Sequence, residues 1–210
     1  MQNIKNLVFD LDGTLYPYSQ NMENNEDKKS IDFLSSYLSV DRDKAWDIIC
    51  QGRQNGAYET TFLASKYNIS PQQYLEYVCD VDVNFIRENK KLAERLSLIK
   101  QDKYIYTDST QSHVAAVLKQ LQIDSSSFIN IYDASVGLYQ YKYSVEGFSL
   151  FFQTSQLKPQ ESIIFEDSIR NINMAKRFGM KTVYIGNKKT DVENADYVFA
   201  NINDALDFLF

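Results

Sequence analysis

Six short runs of β-branched and aromatic residues set the frame for this chain: NLVFDLD (6–12), KYIYT (103–107), FINIY (128–132), SIIFE (162–166), KTVYIG (181–186) and YVFA (197–200). Their apolar residues run on without polar alternation, the pattern of strands covered on both faces. Between them lie segments with helical spacing. SHVAAVLKQLQI puts Val114, Val117, Leu118 and Leu121 on one stripe, and IRNINMAKRFGM does the same with Ile169, Ile172 and Ala175. Gly179 then stands where a helix end favours a residue tolerant of positive φ. Strand–helix–strand alternation predicts an α/β fold, a parallel sheet with right-handed crossovers.

One region departs from that rhythm. From about Tyr18 to Arg87 the patterns are helical only: KKSIDFLSSYL, RDKAWDIICQGRQ, ETTFLASKY and PQQYLEYVCDV. Ser70-Pro71 reads as an N-cap followed by proline at the first helical position. SQNMENNEDKK (19–29) reads as a linker into this region, and KKLAERLSLIK as the helix that returns the chain to the sheet. The expected division is a core of residues 1–17 and 88–210 and an all-helical insertion of residues 18–87. An insertion after the first strand would hang over the carboxyl end of the sheet, where open α/β sheets bind ligands. It is a candidate lid.

Composition narrows the function classes. The chain has 210 residues, 44% of them hydrophobic and 14% aromatic, enough for a real core with one insertion. A formal net charge of −6 argues against a nucleic-acid partner. Cys50 and Cys79 lack any metal-ligand spacing and read as reduced thiols. Met1 leads through QNIKN straight into the first strand, and no apolar run approaches membrane-spanning length. A cytoplasmic protein, soluble and without membrane contact, is the expectation.

The chemistry gathers at strand ends. Residues two apart in an extended chain point to the same side, so Asp10 and Asp12 can address one point beyond the first strand. Gly13 permits a sharp turn, and Thr14 can offer a hydroxyl and an amide to an anion. SIIFE ends on Glu166 and Asp167, where a helix begins. Capping by Asp167 and Ser168 explains one acid, not four. Four convergent carboxylates would repel one another unless a cation sat among them, and hard oxygen donors suit Mg²⁺. KYIYT runs into Thr107, Asp108 and Ser109 before another helix, a junction that can hold phosphate or simply cap the helix. Lys142 could balance the charges, or lie on the surface as most lysines do.

In order and spacing, FDLDGTLYP, YTDS, a lysine and FEDSIRN resemble the four motifs of the haloacid dehalogenase superfamily, over essentially the whole chain. LYP, CDV and EDSIRNINMAKRFGMKTVYIG are most similar to its pyrimidine 5′-nucleotidase-like branch. The resemblance implies a Rossmann-like core with a helical cap, and a phosphatase that uses Mg²⁺ on a small phosphorylated metabolite. It implies Asp10 as nucleophile, Asp12 as acid–base with its backbone carbonyl on the metal, and Thr107 as phosphoryl holder. Lys142 would orient Asp10, Asp167 would ligate the metal, and Glu166 would do so directly or through water. Thr14, Asp108 and Ser109 are the expected substrate contacts, and a monomer or homodimer the expected assembly.

Three positions depart from the family pattern. Asp108 stands where many relatives have Asn. Turned inward it would add a negative charge beside the phosphate; presenting only its amide, it would matter little. Tyr143 follows Lys142 where proline is frequent, which leaves Lys158 in QLKPQES as an alternative motif lysine. Gly13 stands where the nucleotidase-like branch often has Asn.

The remaining residues read more plainly. His113, the one histidine, reads as structural or surface. Trp46 and the insertion's tyrosines read as packing. Tyr16, Arg53 and Tyr58 could meet a substrate, Asn171 could bond to the acidic loop, and NKKTD (187–191) reads as an exposed turn. Three functions compete: a nucleoside monophosphate phosphatase, a sugar-phosphate or phosphoglycolate phosphatase, and a non-catalytic phosphate-binding or phospho-accepting module.

Overall fold

A computed structural model describes residues 3–18, 20–54, 59–187, 192 and 194–210. Its strands are β1 (Asn6–Phe9), β2 (Asp102–Tyr106), β3 (Asn130–Tyr132), β4 (Ser162–Glu166), β5 (Lys181–Ile185) and β6 (Tyr197–Phe199). They form one sheet in the order β3-β2-β1-β4-β5-β6 with every pairing parallel. All six apolar runs are therefore strands. The chain steps outward from β1 to β2 and β3, then crosses to β4 on the other side. The order reverses between β1 and β4, and a crevice opens at such a switch point.

Alternate residues of each strand feed opposite faces. Leu7 and Phe9 of β1 pack with Leu92, Leu96, Val114, Val117 and Leu206. These come from α5 (Lys90–Leu98), α6 (Gln111–Leu121) and α9 (Ile202–Leu209). Val8, Tyr104, Tyr106 and Ile164 face the other way, onto Phe148 and Phe151 of α7 (Val145–Ser155) and Ala175 of α8 (Ile169–Phe178). Phe9 stacks on Phe165 at 4.7 Å, and Tyr106 on Phe151 at 4.2 Å. Each fully buried large side chain contributes roughly 1.5–3 kcal/mol. These two apolar layers hold the strand ends fixed beneath a polar site.

Between β1 and α5 the chain forms α1 (Gln20–Leu38), α2 (Arg42–Gln54), α3 (Glu59–Tyr67) and α4 (Pro71–Val78). They enclose their own apolar cluster of Phe33, Leu34, Ile48, Ile49, Leu63 and Leu75. Ser70 caps α4 by accepting from the Gln73 amide, with Pro71 at the first turn, as the sequence indicates. The expected linker at 19–29 is instead helical from Gln20. Its Glu, Gln, Lys and Met residues are good helix formers, and the segment carries too few apolar residues to show a stripe. Trp46 is not core either: it is 38% exposed, beneath the Arg53 guanidinium at 5.6 Å. Tyr74 is buried as read, whereas Tyr37 and Tyr77 are exposed. Tyr58 and residues 188–191 of the NKKTD turn lie outside the described residues.

Candidate active site

β1 ends at Asp10, whose amide donates to the Phe165 carbonyl at 3.0 Å and so ties it to β4. The chain then turns tightly, with the Leu15 amide on the Leu11 carbonyl at 3.0 Å. Gly13 has φ +87°, and a Cβ there would lie 2.1 Å from Asp167 Oδ2. Both facts disfavour a side chain, which would strain the backbone and displace the Asp167 carboxylate. The residue that departs from the nucleotidase-like pattern is thus the one this turn accommodates with least strain.

Thr107 ends β2 with its amide on the Tyr132 carbonyl at 3.0 Å, and it is buried. Glu166 and Asp167 end β4. These three ends surround Lys142, which arrives from the loop before α7. Its Nζ lies 2.5 Å from Asp10 Oδ1, 2.8 Å from Glu166 Oε1 and 3.1 Å from the Tyr106 carbonyl. An ammonium has three protons, so all are engaged. Lys142 is 2% exposed, whereas the Lys158 side chain is 74% exposed beside Glu161. The lysine brought to the site is Lys142.

Burial alone would depress Lys142; the surrounding Asp10, Glu166 and Asp108 raise it well above the ordinary lysine range. Burial raises Asp10 well above the usual carboxylate range. Lys142 opposes that shift, while Glu166 and Asp167 add to it. Asp167 is pushed up to about 7, first by burial and then by Glu166. One lysine does not neutralise this group of acids.

Oxygens of Asp10, Glu166 and Asp167 lie within 4.8 Å of one another. Such a set fits a hard divalent cation such as Mg²⁺. Glu166 is heavily bonded already, by Lys142, by Asn171 Nδ2 at 2.5 Å and by the Ser168 amide at 2.6 Å. Asp10 and Asp167 have the oxygens more open to a cation and would be the direct ligands, with Glu166 bracing the group from behind.

Three carboxylates converge here, not the four read from the sequence. Asp12 turns away: its Oδ1 accepts from the Tyr16 hydroxyl and meets His113 Nε2 at 2.8 Å. Its Oδ2 accepts from Ser109 Oγ at 3.3 Å. His113 is therefore structural in a specific sense, buried against Asp12.

Thr14 also differs from expectation. Its hydroxyl donates to Asp10 Oδ2 at 2.9 Å and its amide to the Leu11 carbonyl at 3.3 Å, so it steadies Asp10 and does not present donors to an anion. The Ser109 amide donates to Thr107 Oγ1 at 3.1 Å. Asp108 accepts from the Lys142 amide at 3.2 Å and is pushed up to about 6, chiefly by burial. It fastens the lysine loop where relatives use proline. Tyr143 adds to this, stacked on Tyr141 at 4.5 Å and lying under Arg170 at 5.4 Å.

A cavity of about 920 Å³ lies between the strand ends and the helical insertion. Asp10, Asp12, Thr107 and Asp167 line its floor, and Glu26, Arg53, Glu59 and Tyr74 its other wall. Arg53 bridges Asp27 and Glu59 at 2.7 Å each, and the Tyr74 hydroxyl donates to buried Glu59. Burial pushes Glu26 up to about 7, with Tyr18 donating to it at 2.9 Å. The insertion touches the core where Thr60 Oγ1 donates to the Tyr139 carbonyl at 3.0 Å.

Among solved structures the chain is similar to a HAD phosphatase from Thermococcus onnurineus, with TM-score 0.65, 20% identity and 98% of each chain covered. It is similar to an L-2-haloacid dehalogenase from Xanthobacter autotrophicus, with TM-score 0.60, 14% identity and 98% of each covered. A third likeness is to the HAD-hydrolase YfnB of Bacillus subtilis, solved bound to magnesium, with TM-score 0.59, 16% identity and 99% of each covered. These establish the fold. A search of curated proteins finds no match. The family model of haloacid dehalogenase-like hydrolases matches residues 4–179, from the start of β1 to the end of α8. On that match, spanning every strand that contributes to the site, the chain belongs to the haloacid dehalogenase-like hydrolases.

Proposed function

We propose that the protein is a Mg²⁺-dependent phosphomonoesterase that works through a phosphorylated Asp10. Asp10 attacks phosphorus while Lys142 and Thr14 hold its carboxylate in place. The covalent intermediate divides one hard displacement into two easier ones. Asp12 protonates the departing oxygen and then takes a proton from the hydrolytic water. The Thr107 hydroxyl, which accepts from the Ser109 amide, donates its own proton to a phosphoryl oxygen. Asp10 and Asp167 would hold the metal, which would offset the repulsion between carboxylate and phosphate.

The observation that carries this reading is Asp12, a second carboxylate lining the same cavity as Asp10. Carbon–halogen cleavage releases a halide, which needs no proton; an alkoxide does. The acidic group of Asp10, Glu166 and Asp167 adds to the case, since halide displacement has no use for it.

The wall supports a substrate class. Carboxylates outnumber cationic side chains seven to three among the lining residues, so a second negative charge on the substrate would be disfavoured. Tyr18, Tyr74, Tyr141 and Tyr143 line the same space. A neutral hydroxylated group, such as the nucleoside of a pyrimidine monophosphate or a sugar, fits better than phosphoglycolate. The test is phosphate release from nucleoside monophosphates, sugar phosphates and phosphoglycolate, with Mg²⁺ or EDTA, by the parent and Asp10→Asn. Mg²⁺-dependent release from a neutral-bodied ester, lost in Asp10→Asn, is expected. Halide release from a 2-haloacid without phosphate release would overturn the reading. Retention of the phosphoryl group on the protein would favour a phospho-accepting module.

A further inference from the structure

The sheet order explains why His113 reaches Asp12. β1 and β2 are neighbours in register, Phe9 opposite Ile105, so the turn after β1 lies beside the first turn of α6. His113 occupies that turn and is 3% exposed. The next inward positions of the helix are the apolar Val114, Val117 and Leu118. Nδ1 of the ring is buried without a well-formed hydrogen bond, near the Cys79 backbone. Burying an imidazole this way is unfavourable unless its other nitrogen is used. That nitrogen is the one at Asp12.

We propose that His113 is a positioning residue for Asp12, fixing which carboxylate oxygen faces the substrate. Oδ1 receives both Tyr16 and His113, which commits it inward. Oδ2 has the single longer contact from Ser109, and it is the oxygen left to deliver a proton to the leaving group. The ring is a stop against rotation of the carboxylate, and it does not touch the substrate. The inference rests on the phosphatase reading, in which Asp12 is the acid.

Leaving-group dependence tests it, because a dinitrophenyl ester departs without a proton while an alkyl ester needs one. Glutamine places its amide nitrogen near the position of Nε2, whereas asparagine stops short of it. His113→Gln, His113→Asn and His113→Leu are compared with the parent in Mg²⁺ on dinitrophenyl phosphate and on an alkyl phosphate. For Asn and Leu, kcat on the alkyl ester is expected to fall about 100-fold, the scale of general acid catalysis, with a far smaller loss on the aryl ester. Gln is expected to recover most of the alkyl activity. Equal losses on both esters, or Gln no better than Asn, would overturn the proposal. A parent inactive on both esters would instead overturn the phosphatase reading itself. Should the Leu variant fail to fold, the Gln–Asn comparison decides.

Discussion

Asp167 Oδ2 occupies the space in which a side chain at residue 13 would begin, 2.1 Å from where the Cβ would stand. The acidic loop after β4 and the turn after β1 are therefore in direct register through a missing side chain.

Gly13→Ala is expected to displace Asp167 and to weaken Mg²⁺ binding more than it weakens the fold. The left-handed backbone at φ +87° costs alanine roughly 1–2 kcal/mol. Gly13→Asn tolerates that backbone better yet meets the same carboxylate. Thermal unfolding with and without Mg²⁺ checks this: both variants should lose most of the metal-induced rise, and Asn should unfold later than Ala.

Lys142→Met and Lys158→Met should separate completely. Removing Lys142 leaves Asp10 and Glu166 buried without their counter-charge, a loss on the order of 3–5 kcal/mol for a broken buried pair. Activity should fall at least about 100-fold with it. Lys158 is exposed, and its variant should stay within about 0.5 kcal/mol of the parent in stability. Denaturant melts and turnover on the identified ester provide the measurement.

Protons and Mg²⁺ should compete for the acidic group. Asp10, Asp108 and Asp167 have folded pKa values above their unfolded ones, with Asp108 at about 6 and Asp167 at about 7. A raised carboxylate pKa means the folded state holds its proton longer. The metal-free protein should therefore lose stability from Asp108 and Asp167 as pH rises from the ordinary carboxylate range to about 7, with Asp10 adding to the loss in the same direction. Metal binding relieves that penalty, so the rise in Tm with Mg²⁺ should grow from about pH 5 to about pH 8. A larger rise at the acidic end would contradict the assignment.

Asp108→Asn should keep full activity or exceed the parent by a few fold. The asparagine carbonyl can still accept from the Lys142 amide, and a negative charge beside the phosphate is removed. The gain should appear above about pH 6, where Asp108 is ionised, and vanish below it. kcat/KM against pH for the two proteins reads this directly.

The central strands were legible because burial on both faces forces an unbroken apolar run such as SIIFE at β4, whereas the edge strands β3 and β6 are only partly covered and show shorter runs. Asp10, Thr107, Lys142 and Asp167 were legible by position, since they stand at strand ends or before a helix. The start of α1 was not, because its first turns are polar and leave no stripe. His113 was read as structural or surface and Tyr16 as a candidate substrate contact; that both meet Asp12 was not legible, for a different reason. A lone histidine on an apolar helix carries no local signal, and its meaning comes from β1 lying beside β2. Thr14 was misread because sequence alone does not tell a hydroxyl aimed at a ligand from one aimed at its neighbour.

The salt link between Asp10 and Lys142 spans 132 positions of chain, and the Lys142–Glu166 link ties in the strand beyond. No contiguous fragment short of β1 through β4 contains the whole group. Such long-range closures form late, after the entropy of large loops has been overcome. On the proposed reading, turnover should report complete assembly: a refolding chain should regain helix content before activity, and the lag between the two signals would time the docking of β4 against β1.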